Sequence, residues 1–345
     1  MSRDEFFAKL ASFDEDGLKK VVWTLYWRGS AQMRERIEAQ IDPDARVQPA
    51  TDPAVDPTAV ATEVDEFVTL ARSGAYLGGD RRVSPKERSR WRFTFRRLAD
   101  DAQLALADPD VSTAAAAFEQ LVDLACHTHD FEYFRSEEPL VAARFVVSDA
   151  VALLWARLRE VYGFAGFAER AAPQLIRWES RYGWTRSGDN RVAEQETSLA
   201  SVLAPTLRAA DMWTGFTQHY VVALDQVARD EADAPRQPWR TDGWDRRWRT
   251  GNLAEWHAML LDRLPGTEGE HLLDRIATHP GLDGAELTFF QARLAHQRGE
   301  LAQARQLVHD ALTELPGQRQ LLGFAAQIGA ELPPRARQVV EDRTR

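Results

Sequence analysis

Cysteine occurs once in this chain, at Cys126. A single thiol excludes an internal disulfide framework and any zinc or iron–sulfur site built from several cysteines. Lysine is nearly as scarce, found only at Lys9, Lys19, Lys20 and Lys86, so arginine carries the positive charge. No apolar run approaches the roughly 20 residues that span a bilayer. Residues 1–17, MSRDEFFAKLASFDEDG, lack the basic-then-apolar layout of a signal peptide, and the expected compartment is a reducing cytoplasm. Strand alternation is missing as well. So are a P-loop, a dinucleotide-binding glycine pattern, a His-Glu-x-x-His pair and a nucleophile elbow. These absences point away from an enzyme, and no cofactor, metal or catalytic residue is expected. A formal charge of −10 makes the surface as a whole a poor default for nucleic acid.

What is present is helix periodicity. Ser84-Pro85-Lys86-Glu87 combines an N-cap, a proline at the first helical position and a capping-box glutamate. Trp91, Phe95, Leu98, Ala102 and Ala105 follow on one face. Val60, Val64, Phe67, Val68 and Ala71 mark an earlier helix, and Phe118, Leu121, Val122 and Ala125 a later one. A long helix is expected from the Ser136 cap to Tyr162, then helices near 164–181, 192–209 (kinked at Pro205) and 211–229. The eleven tryptophans are spread along the chain, which suits core packing. The expected fold class is all-α, built of stacked helical hairpins in the manner of an α-solenoid.

Composition shifts suggest the organisation. Residues 1–41 read as a unit of short helices, and 42–58, with four prolines, as a linker. Residues 59–229 read as a central helical domain, and 230–252 as an irregular loop rich in Trp and Arg. The remainder, 253–345, reads as C-terminal helical repeats. Within it, residues 285–316, AELTFFQARLAHQRGELAQARQLVHDALTELP, place Ala292, Ala304 and Ala311 at small positions, Gly299 at a turn and Pro316 at a stop. This segment resembles a single tetratricopeptide repeat. Residues 319–332 resemble the first helix of a following unit, and 253–278 a degenerate one before it. Thr288 and Ala295 stand where the repeat usually has aromatic residues. The resemblance implies a surface that binds a protein or peptide, without naming the ligand.

Four stretches carry candidate chemistry. CHTHDFEYF, residues 126–134, crowds Cys126, His127, His129 and Asp130 together. His-x-His converges on a metal only from an extended strand, and the preceding STAAAAFEQLVDLA is helical, so a helix C-terminus is the expected reading. On that reading Phe131, Tyr133 and Phe134 pin the turn; an enzyme site near His127, His129 and Glu132 is the third-ranked alternative. Between Arg81 and Arg97, eight cations face one acid, Glu87. Arg81, Arg82, Arg88, Arg92 and Arg96 could follow phosphates, which makes nucleic-acid or nucleotide binding the second-ranked function. Pairing with neighbouring acids is the plainer fate for this helix.

PWRTDGWDRRWRTGN, residues 238–252, offers Arg240, Trp244, Arg247 and Trp248 as anchors for a partner, or as residues that fold a loop back on the surface. ESRYGWTRSGDNR, residues 179–191, could line a pocket or merely punctuate a helix junction. The first-ranked function is a non-catalytic scaffold or adaptor holding a protein or peptide in a helical groove.

Overall fold

The computed structural model describes residues 13–28, 55–78, 80–182, 192–233, 243–264 and 266–344. These hold fifteen α-helices, one 3-10 turn and no strand, with helices packing pairwise against their neighbours in sequence. The fold is all-α. The chain divides into two compact units, Met1–Ala54 and Val55–Arg345. Of the first, helix α1 (Glu15–Arg28) is described; Asp14 caps it by accepting the Gly17 N–H at 2.8 Å, and Trp23 and Trp27 stack on its exposed side.

The second unit opens with three helices whose buried faces match the sequence periodicity. They are α2 (Pro57–Arg72), α3 (Pro85–Ala105) and α4 (Val111–His127). Pro57, placed in the linker by composition, is the first residue of α2, where a missing N–H costs nothing. At α3 the Glu87 N–H donates to Ser84 Oγ at 3.2 Å, and the Ser84 N–H donates to Glu87 Oε2 at 2.9 Å. The capping box is therefore closed in both directions. Trp91 then buries its face against Phe134, with ring centroids 4.0 Å apart.

The long helix expected from Ser136 does not form. Instead α5 (Pro139–Ala143) stops after five residues at Arg144, which adopts φ 52°, and α6 (Val147–Tyr182) begins anew. The restart depends on Glu196, whose carboxylate accepts the N–H groups of Val147 at 2.7 Å and Ser148 at 2.9 Å. A cap supplied from 49 residues away leaves no local trace in the sequence.

Helix α6 breaks at Gly163 (φ 64°, ψ −170°). Trp155 Nε1 donates to Gln174 Oε1 at 2.7 Å across that break. In a straight helix 19 residues would separate the two by about 28 Å. The segment is therefore an antiparallel hairpin, its arms meeting the expected boundaries at Tyr162 and 164. Next come α7 (Leu199–Leu203), the 3-10 turn Ala204–Thr206 and α8 (Ala210–Asp233). Pro205, expected to kink one long helix, lies in the 3-10 turn that ends a short one.

Residues 244–252, read as loop, are helix α9 (Trp244–Asn252). The buried side chains of this nine-residue helix are Arg249 and Thr250, so it has no core-facing apolar period to read in the sequence and is held by polar anchors instead. Buried Arg249 donates through Nη1 to the Gly281 carbonyl at 2.7 Å and pairs with Glu231, while Thr250 Oγ1 accepts the Asp283 N–H at 3.0 Å.

The rest is α10 (Ala254–Arg263), α11 (Gly266–Ala277), α12 (Ala285–Gln297), α13 (Leu301–Glu314), α14 (Arg319–Ile328) and α15 (Pro334–Thr344). α12 and α13 form a close hairpin about Gly299 (φ 80°), with Ala292, Ala304 and Ala311 sealed between helices. One hydrophobic cluster extends from Val60 to Leu294 and a second from Ala285 to Ala336. No helix among the described residues is long and apolar enough to cross a membrane.

Candidate functional site

Two stretches far apart in sequence, 127–131 and 244–249, meet across one cleft of 610 Å³. The end of α4 and the turn after it supply His127, Asp130 and Phe131. The end of α6 supplies Ser180 and Arg181, and the end of α8 supplies Glu231. α9 closes the far side with Trp244, Asp245, Trp248 and Arg249. The walls are joined directly: Asn252 Nδ2 donates to the Ser180 carbonyl at 2.7 Å and ties α9 to α6.

The charges in the cleft are largely matched. Arg181 Nη1 lies 2.7 Å from Asp130 Oδ2, Arg249 holds Glu231, and Arg246 Nε stands 3.4 Å from the same Glu231 carboxylate. The aromatic residues are not covered. Phe131 is 55% exposed, Trp244 53% and Trp248 39%. Trp244 and Trp248 are one helical turn apart and stack with centroids 5.5 Å apart and planes 10° from parallel. His129 continues the stack, 6.1 Å beyond Trp248.

The two histidines of CHTHDFEYF thus go to different neighbours. His129 joins the tryptophans, whereas His127 packs edge-on to Phe131 at 6.4 Å. Among the described residues no group of three or more His, Cys, Asp and Glu side chains is spaced to hold a metal ion. Cys126 is buried in the core, and burial raises its thiol well above the ordinary range, so it stays protonated. His127 is pushed below the usual histidine range, first by burial and then by the Arg181 charge. Its Nδ1 is buried without a hydrogen-bond partner among the described residues. Phe134 pins the turn as expected and Tyr133 packs beside it, but Phe131 faces outward into the cleft.

Of the proposed partner anchors, Trp244 and Trp248 line this cleft. Arg247 instead pairs with Asp283 at 3.5 Å, and Arg240 lies outside the described residues. Residues 183–191 lie outside them too, while Ser180 and Arg181 from the same stretch do reach the cleft. Glu231 carried no sequence signal, and Asp245 and Arg249 none beyond lying in the 238–252 stretch, because nothing local distinguishes a cleft carboxylate or a buried arginine from surface charge.

The basic helix is partly consumed by the fold. Arg82 bonds Asp80 through Nε at 3.0 Å, Arg96 Nε donates to the Ala143 carbonyl at 3.1 Å, and Arg97 reaches Glu63 and Asp101. Arg81 is exposed and does not join the others. Arg88 and Arg92, with Arg135 from another segment, line a second pocket of 440 Å³. Of the five arginines expected to follow phosphates, Arg88 and Arg92 are the two that line this pocket.

Fold and site together define an all-α protein of sequentially packed helices with an aromatic-walled, charge-paired cleft. No family model, curated protein or solved structure matches the chain.

Proposed function

We propose that this protein is a non-catalytic helical scaffold that takes a segment of a protein or peptide partner in the cleft between α4 and α9. The observation that carries the reading is the uncovered wall of Phe131, Trp244 and Trp248 over a preformed cavity. Large aromatic rings beside a concavity are what partner anchors use, since tryptophan contributes much contact area for little lost rotamer freedom. The ion pairs Arg181–Asp130 and Arg249–Glu231 suit the same role, because they hold the cleft's walls in place before a partner enters. The hairpin α12–α13, with its tetratricopeptide-like spacing of Ala292, Gly299, Ala304 and Ala311, is the scaffold's second helical surface.

The test is selection from a displayed random-peptide library, followed by polarisation titration of the labelled winners against wild type and Trp248→Ala. The expected result is a set of peptides sharing an apolar or aromatic anchor, each bound about 30-fold more weakly by the variant. Failure to enrich any peptide, or equal binding by Trp248→Ala, overturns the reading.

A further inference from the structure

We infer that the pocket beside the first turns of α3 is a binding site for a small phosphomonoester, its phosphoryl group taken by Arg88, Arg92 and Arg135. This goes beyond the aromatic cleft and does not rest on it.

The chain carries 53 acids against 43 lysines and arginines, so carboxylates are in surplus. Arg97, Arg177, Arg181 and Arg249 each have an acidic partner. Yet Arg88, Arg92 and Arg135 share one pocket with no ion pair among the described residues. Like charges gathered this way repel one another until an anion sits among them. Asp80 and Glu87 stand nearby but have other hydrogen-bond partners: Asp80 is bonded first by Arg82, which with a lesser charge effect from Arg88 lowers it to about 2, and Glu87 accepts the Ser84 N–H.

Placement follows from the local structure. Arg88 and Arg92 are four residues apart on α3 and share a face. Arg88 Nη1 spends one bond on the Asp80 carbonyl at 3.3 Å, which orients the guanidinium and leaves its other N–H groups. Arg135 follows Phe134, which is stacked on Trp91, so the third cation is delivered beside the same turn. Guanidinium groups bind phosphate through paired, charge-assisted hydrogen bonds.

The other wall is formed by Tyr76, Leu77 and Pro85. Burial, then the Glu87 charge, pushes the Tyr76 phenol up to about 12, so it keeps its proton and adds a donor, not an anion. A volume of 440 Å³ falls within the roughly 300–1,000 Å³ usual for small-molecule sites, which leaves room for an organic group beyond the phosphate.

The experiment is calorimetric titration of the full chain, at fixed ionic strength, with phenyl phosphate, inorganic phosphate and a phosphoserine pentapeptide. Arg92→Gln and Arg135→Gln are compared with Arg90→Gln, an exposed neighbour on α3 that does not line the pocket. Unchanged circular dichroism melts establish that each variant folds. The expected result is saturable binding of phenyl phosphate, tighter than inorganic phosphate, weakened about tenfold or more by either pocket variant and unaffected by Arg90→Gln. No saturable binding, or equal weakening by Arg90→Gln, overturns the site. Tighter binding of the phosphopeptide than of phenyl phosphate overturns its assignment to a small molecule.

Discussion

His257 is buried in the main core, its Nε2 2.7 Å from the hydroxyl of equally buried Tyr220. Burial, with a lesser contribution from His279, pushes it down to about 3 from the ordinary 6.5. As pH falls below 6.5, the unfolded chain takes up a proton that the folded chain refuses until about pH 3. Stability present above 6.5 is therefore lost progressively on the way down, by up to about 1.4 kcal/mol per pH unit from this group. Urea midpoints at about pH 5 and about pH 7.5 should show a shallower acid loss in His257→Gln than in wild type. Equal slopes would mean that His257 is accessible to protons in the folded state. Tyr220→Phe removes the partner and leaves the imidazole nitrogen buried alone, which should cost about 1–3 kcal/mol in the same measurement.

At the scale of elements, the sharpest dependence is on Gly163. Its φ of 64° with ψ of −170° is a conformation open essentially to glycine, and no other side chain or backbone atom lies within 4 Å of a Cβ added there. Gly163→Ala should therefore act through backbone strain alone, lowering stability by about 1–3 kcal/mol in urea unfolding. A neutral outcome would mean that the α6 hairpin turns elsewhere. The α12–α13 hairpin depends on small size instead. Ala304 is fully buried, so Ala304→Leu forces the helices apart and should cost about 1–3 kcal/mol. Both elements were legible: the glycine break and the alanine spacing stand in the sequence. α9 was not, since its stability comes from Arg249 and Thr250 bonding to residues some thirty positions on.

Across the Val55–Arg345 unit, α12 is the joint between two hydrophobic clusters. Phe290 and Leu294 belong to the larger one, while Phe289 and Ala292 belong to the smaller one with α13, α14 and α15. The smaller cluster should open without the larger. Leu312→Ala, at a fully buried position of α13, should cost about 2–5 kcal/mol locally. Hydrogen exchange read by mass spectrometry should then show faster exchange in α13–α15 and unchanged protection in α2–α4. Equal acceleration in both would mean that the unit unfolds as one.

The sequence by itself determined the helices with apolar faces, because burial imposes a 3.6-residue period that is written locally. Val60 to Ala71, Trp91 to Ala105 and Phe118 to Ala125 are buried as their spacing requires, and Ser84 and Glu87 close the cap their spacing suggests. It also marked both stretches that matter to the cleft, 126–134 and 238–252, without indicating that they face each other. Tertiary structure alone decided that meeting, along with the outward turn of Phe131, the stacking of His129 on Trp248 and the gathering of Arg88 and Arg92 with Arg135. The physical reason is the same in each case. A side chain's orientation and charge partner depend on groups tens of residues away, brought close by packing between helices, and local periodicity carries no record of which helices will touch.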